Sequence, residues 1–307
     1  MTDVVTTTAT PVVQSRVRDF IALMKPRVMS LVVFTGFVGY FLAPSSLHPL
    51  LAVMAILCLS FGAGAAAAVN MWYERDLDAL MRRTAGRPVP AGRVSPDDAL
   101  VFGIFLSLGS VSLMGLVSNW TAAGLLAVSI LFYVTIYTFW LKRRTPQNIV
   151  IGGAAGALPP VIGWAAATGE VALAPILMFL MIFFWTPPHF WALALFRNED
   201  YQRAGLPMLP ITAGRLVAKR YMLAYTLVLF PLAVAPWVFG MAGWIYGFSA
   251  IVLGALFILS AVQVLREPDA AGDKAARRMF GFSILYLFMI FAMLIVDRVS
   301  IGSPWQA

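Results

Sequence analysis

The chain has 307 residues, of which 61% are hydrophobic and 12% charged, and its formal charge is +8. Soluble domains carry about 25% charged residues, and the apolar residues here fall in blocks long enough to cross a ~30 Å hydrocarbon layer. The composition therefore excludes a soluble globular protein and describes an all-α, polytopic membrane protein; the placement of the positive charge, shown next, argues against nucleic acid as a partner.

Residues 1–12 lack the basic start of a signal peptide and no cleavage pattern follows the first apolar block, so residues 1–20 read as a disordered tail. Residues 21–300 read as one transmembrane domain and 301–307 as a C-terminal tail. Nine predicted spans cover about 28–45, 50–73, 98–117, 121–140, 148–167, 171–193, 221–239, 243–264 and 280–297. Every Lys and Arg except Arg298 lies before the first span or after the second, fourth, sixth or eighth. Basic loops stay cytoplasmic, which puts the N-terminus and the long loops 74–97 and 197–220 in the cytoplasm and the C-terminus on the far side. The far-side connections are tight, so chemistry is expected at the cytoplasmic face. The one cysteine, Cys58, falls in the second span and has no partner for an intramolecular disulfide.

The second span ends in NMWYERDLDALMRRTAGRP, residues 70–88. Asn70, Glu74 and Asp78 are four apart, so on a helix they fan over about 80° and climb ~12 Å, one amide and two carboxylates in a column. Asp76 points elsewhere. An all-oxygen column suits a hard cation such as Mg²⁺, which takes one or two carboxylates plus substrate phosphates. Arg82, Arg83 and Arg87 suit the phosphate oxygens. The plainer reading is an interfacial helix end with pairs such as Asp78–Arg82.

After the fourth span, Tyr133 and Tyr137 are one turn apart and Lys142 and Arg143 follow, either as phosphate ligands or as topology charges. Asn148 opens the fifth span as a cap or a ligand, ahead of Gly152, Gly153 and Gly156, which suit close helix packing. The sixth span holds Trp185, Pro187, Pro188 and His189, the histidine serving packing or function. Behind it, Glu199, Asp200 and Arg203 form a weaker second acidic helix end, Asp200 being the better metal ligand.

With these words, MKPRVMSL (24–31), YTFWLKRRTPQNIVIGGAAGALPPVIGW (137–164) and TPPHFWALALFRNEDYQRAGLPMLP (186–210), the chain resembles the UbiA superfamily of intramembrane prenyltransferases, and within it the branch that farnesylates haem. The superfamily's first motif departs here at Met71, where an acid is usual, and at Glu74, where aspartate is usual; Asp200 stands one step off the second motif. The resemblance implies nine helices around a central cavity open sideways to lipid, in a bacterial-type inner membrane. It implies farnesyl diphosphate and haem b as substrates, and haem O, destined for terminal oxidases, and diphosphate as products. Haem A synthase or oxidase assembly proteins are the candidate partners.

On this reading Asn70, Glu74, Asp78, Asp200 and Glu199 hold Mg²⁺, with Mn²⁺ the alternative. Arg82, Arg83, Arg87, Lys142 and Arg143 bind diphosphate. Tyr133, Tyr137, Asn148, Trp185 and Arg203 touch the prenyl chain or haem, and His189 approaches the iron, a propionate or a water. The rival readings are a prenyltransferase for a quinone precursor, a secondary transporter and an assembly scaffold.

Overall fold

A computed structural model describes residues 16–44, 47–302 and 305. The described residues contain helices and no strand: α1 Val17–Leu23, α2 Pro26–Leu42, α3 Pro49–Tyr73, α4 Arg75–Leu80, α5 Pro96–Val117, α6 Trp120–Leu131 running into a π-helix Phe132–Leu141, α7 Asn148–Ala157, α8 Pro159–Thr168, α9 Leu173–Phe196, α10 Asn198–Arg203, α11 Leu209–Thr212, α12 Arg215–Val238, α13 Trp244–Arg266 and α14 Lys274–Ile301. Eight of them, counting α6 with its π-helix and α7 with α8 as single spans, are long and apolar enough to cross a membrane; α1 and α2, bent by 57°, make the ninth when taken as one broken span. This is a multi-pass membrane protein.

Three expectations are corrected. Residues 17–20 belong to α1 and not to a tail; residues 1–15 of that tail lie outside the described residues. Within 197–220 the chain forms α10 and α11, and α12 begins at Arg215, ahead of the expected start of the seventh span at about 221, its basic first turn continuing the helix beyond the apolar run. The last helix likewise starts at Lys274, six residues before the apolar run that marks the ninth span.

The helices start where side chains or prolines satisfy or remove free N–H groups. Ser95 accepts from the Asp98 amide and Asn119 from the Ala122 amide, at 3.0 and 2.9 Å. Pro26, Pro49, Pro96 and Pro159 occupy first turns. Small residues then set the distances between helices. A Cβ on Gly163 would collide with the Gly36 carbonyl, and one on Gly39 with Pro160, so α2 and α8 touch backbone to backbone. Ala65–Ala68 of α3 are all buried, and Gly103 of α5 sits against Val69. Leu, Phe and Val side chains cover the outside of the bundle, Phe105 at 72% and Leu116 at 76% exposure among them, the surface a lipid environment solvates.

Candidate active site

At the end of α3 the helix breaks at Glu74 and resumes as α4 without losing register: the Glu74 amide bonds to the Asn70 carbonyl and the Asp78 amide to the Glu74 carbonyl. The column read from the spacing is present, and all three side chains are about 1% exposed. Each is met by a base, two of the three from distant parts of the chain. Lys25 Nζ donates to Asn70 Oδ1 at 2.8 Å. Lys142 Nζ donates to Glu74 Oε2 at 2.5 Å. Arg87 donates to both oxygens of Asp78 at 2.8 and 2.6 Å. The turn after α4 brings Arg87 back, pinned by Thr84 Oγ1 donating to the Asp78 carbonyl at 2.8 Å. The i, i+4 pair Asp78–Arg82 does not form; Arg82 is exposed and away from the cavity.

Most of these groups close one end of a cavity of about 710 Å³, Glu74 itself standing off its lining. Lys25, Asn70, Asp78, Arg83, Arg87 and Lys142 line that end. Tyr133, Tyr137, Asn148, Trp185 and His189 line it further in, with apolar residues of α2, α3, α9 and α14. The π-helix joins the two regions. Asn70 Nδ2 donates to Thr138 Oγ1 at 3.2 Å, and Thr138 Oγ1 donates to the Tyr133 carbonyl at 2.8 Å. Tyr133 and Tyr137 lie with ring centres 5.2 Å apart. Tyr137 fits because Gly152 has no Cβ; one there would overlap its ring. Asn148 gives its amide N–H to the Thr145 carbonyl at 2.5 Å, and its Oδ1 is buried without a partner.

Several expected residues stand elsewhere. Arg143 turns outward and holds Asp76 by two bonds of 3.0 and 2.8 Å, its guanidinium 5.0 Å from the Tyr73 ring centre. It forms a shallow outer hollow with Trp72 and Arg75, away from the basic end of the cavity. Partial burial works to raise the Asp76 pKa, but the hydrogen bonds from Arg143 and the Leu77 amide outweigh it and hold the carboxyl below its ordinary value. Glu199 and Arg203 are on the surface. Asp200 is buried but 3.8 Å from Arg203 and off the lining; its neighbour Tyr201 reaches the cavity instead.

Among the described residues no three carboxylate, imidazole or thiol groups gather as a ready metal site. The donors that fit a hard cation are the oxygens of Asn70, Glu74 and Asp78, and Glu74 Oε1 is buried with no hydrogen-bond partner, an orphan a cation would satisfy. Lys25, Thr138 and Ser283 were not singled out from the sequence. Lys25 had the form of a topology charge ahead of a proline, and nothing local marks Thr138 or Ser283 as partners of groups 68 and 94 residues away.

The model of the UbiA prenyltransferase family matches residues 32–293. A protoheme IX farnesyltransferase of Rhizorhabdus wittichii is 61% identical over 92% of this chain and 94% of its own length. One of Acidiphilium cryptum is 59% identical over 92% and 90%. Among solved structures, a digeranylgeranylglyceryl phosphate synthase superposes with a TM-score of 0.77 at 17% identity, covering 92% of this chain and 99% of that one. A UbiA homologue of Archaeoglobus fulgidus bound to DMAPP and Mg²⁺ gives 0.63 at 19%, covering 91% and 99%. The chain belongs to the UbiA prenyltransferase family.

Proposed function

We propose that this chain transfers the farnesyl group of farnesyl diphosphate to a vinyl group of haem b, with addition of water, giving haem O and diphosphate. The relatives above support the substrates. The observation that carries the chemistry is that one cavity has a cluster of Lys25, Arg83, Arg87 and Lys142 at one end and aromatic and aliphatic walls beyond it.

Diphosphate belongs at the basic end, where four cations neutralise its oxygens and stabilise it as a leaving group. Asn70, Glu74 and Asp78 are the residues that would hold Mg²⁺, or Mn²⁺, which when bound supplies Lewis-acid polarisation of the diphosphate. The C–O bond breaks with its electron pair leaving on diphosphate, and positive charge spreads over the allylic carbons. The faces of Tyr133 and Tyr137 stabilise that charge, and the apolar walls keep water from capturing it early. The vinyl π bond of haem attacks the farnesyl carbon; water then adds to the cation beside the porphyrin and loses a proton. The product carries a hydroxyl and the C15 chain.

We read the basic face as cytoplasmic and the membrane as a bacterial-type inner membrane, with haem A synthase or oxidase assembly proteins as recipients of haem O. The test is haem analysis by chromatography and mass spectrometry after membranes receive haem b, farnesyl diphosphate and Mg²⁺. Haem O from the wild type, absent with Asp78→Ala or a chelator, is expected. A prenylated quinone precursor and no haem O from the folded wild type would replace this reading.

A further inference from the structure

His189 is the one imidazole on the cavity, and its surroundings fix both its plane and its proton. The ring is stacked between Trp185, centres 4.3 Å apart at 18°, and Phe280, 4.6 Å at 22°. Its Nδ1 lies 2.6 Å from Ser283 Oγ. That hydroxyl also lies 2.6 Å from the Phe280 carbonyl oxygen. A hydroxyl has one proton and a carbonyl can only accept. The serine proton therefore goes to the Phe280 carbonyl, and the proton between ring and serine belongs to Nδ1. Trp185 Nε1 donates to the Ser283 carbonyl at 2.8 Å, so α9 and α14 hold this turn from both sides. Nε2 is left with a bare lone pair and no hydrogen-bond partner among the described residues, on a side chain only 8% exposed that lines the cavity.

A neutral imidazole whose other N–H is held by a fixed acceptor is the arrangement of metal-ligating histidines. The wall beside it is apolar and wide: Leu31, Phe34, Ile284, Leu287 and Phe288 line the same cavity. Building on the haem reading above, we infer that His189 Nε2 is an axial ligand to the iron of the acceptor haem, and that Ser283 is the positioning residue that sets its tautomer and plane. The lone pair forms a coordinate bond to iron; no proton is released and no electron moves, because Nε2 carries no proton to begin with. Anchoring the iron fixes the porphyrin centre and leaves the vinyl edge to reach towards the farnesyl carbon.

The experiment uses the purified full-length protein in lipid nanodiscs, titrated with haem b and read by absorption and resonance Raman spectroscopy. The wild type should give a nitrogen-ligated spectrum unlike haem in empty nanodiscs. His189→Gly should lose it and regain it with added imidazole. Ser283→Ala should keep the ligation but shift the iron–histidine stretch of the ferrous state and weaken haem binding about 10-fold; it also serves if the glycine variant does not fold. An unchanged spectrum in His189→Gly overturns the ligation, and an unchanged stretch in Ser283→Ala overturns the positioning role of the serine; either leaves haem as the acceptor. Failure of the wild type to bind haem at all overturns both readings. A role for His189 as base towards the quenching water would show as normal ligation and haem binding with slowed product formation.

Discussion

Both acids of the first column are answered by a base, and Lys25 and Arg83 add further positive charge at the same shielded end of the cavity. Replacing one member leaves the other buried without its partner, which is costly. Asp78→Asn is thus expected to fold but to lower haem O formation about 100-fold or more, measured per unit of monodisperse protein. The same pairing couples two ligands. On the proposed reading a cation would take the oxygens now held by Lys142 and Arg87, and diphosphate would take the bases so released. Each should raise the other's affinity by one common factor; calorimetric titration of Mg²⁺ with and without inorganic diphosphate measures it, and equal affinities would count against this account. Tyr137→Phe keeps an aromatic face and should stay within a few-fold of wild type, whereas Tyr137→Leu removes a cation–π term of about 2 kcal/mol, roughly 30-fold in rate. Single-turnover rates decide it. At this scale the column at 70, 74 and 78 was legible, because it depends on helical spacing alone. Its partners were not: Lys25, Lys142 and Thr138 meet it through tertiary folding, and Arg143 differs from Lys142 only in which way the chain turns after the π-helix.

The elements owe their placement to close contacts more than to apolar stripes. Gly163→Ala should drive a methyl into the Gly36 carbonyl, where neither backbone can yield, and cost about 1–3 kcal/mol, seen as a lower midpoint of thermal unfolding in detergent. The turn between α13 and α14 is held by charge. Lys219 and Arg215 both donate to Asp269, at 2.9 and 3.0 Å, and Arg215 also holds Asp273. The hydrogen bonds from Lys219 and then Arg215 keep the Asp269 carboxyl below its ordinary value of 3.8. A group depressed in the folded state lends stability above its unfolded pKa and loses it as pH falls through the folded one. The turn should therefore be closed at neutral pH and open in strong acid, and Asp269→Asn should open it at pH 7, read from the mobility of a spin label at the exposed Lys274. The spans were legible as elements because length, hydropathy and basic loops all agree. The π-helix was not, since a run of apolar residues carries no phase from which a wider turn can be told.

For the whole molecule, the order of basic loops predicts one orientation, and labelling tests it. With Cys58 replaced by Ala, a cysteine at Gly86 should react with an impermeant reagent only from the cytoplasmic side and one at Glu170 only from the other. Eight of the nine expected spans were legible because positive loops alternate with neutral ones, the ninth standing as the bent pair α1–α2. The shape of the cavity was not, being set by contacts among α2, α9 and α14 that are far apart in the chain. Where α2 meets α14 the cavity lining is exposed: Val28 at 60%, Ile284 and Phe288 each at 43%. These exposed apolar side chains suit a seam that opens to lipid. A prenyl chain partitions there by about 0.8 kcal/mol for each buried methylene, and haem is similarly greasy, so the enzyme meets its reactants as solutes in a two-dimensional solvent. Its rate should then follow their mole fraction in the bilayer: at fixed bulk amounts of enzyme and both reactants, adding plain phospholipid should slow it by surface dilution.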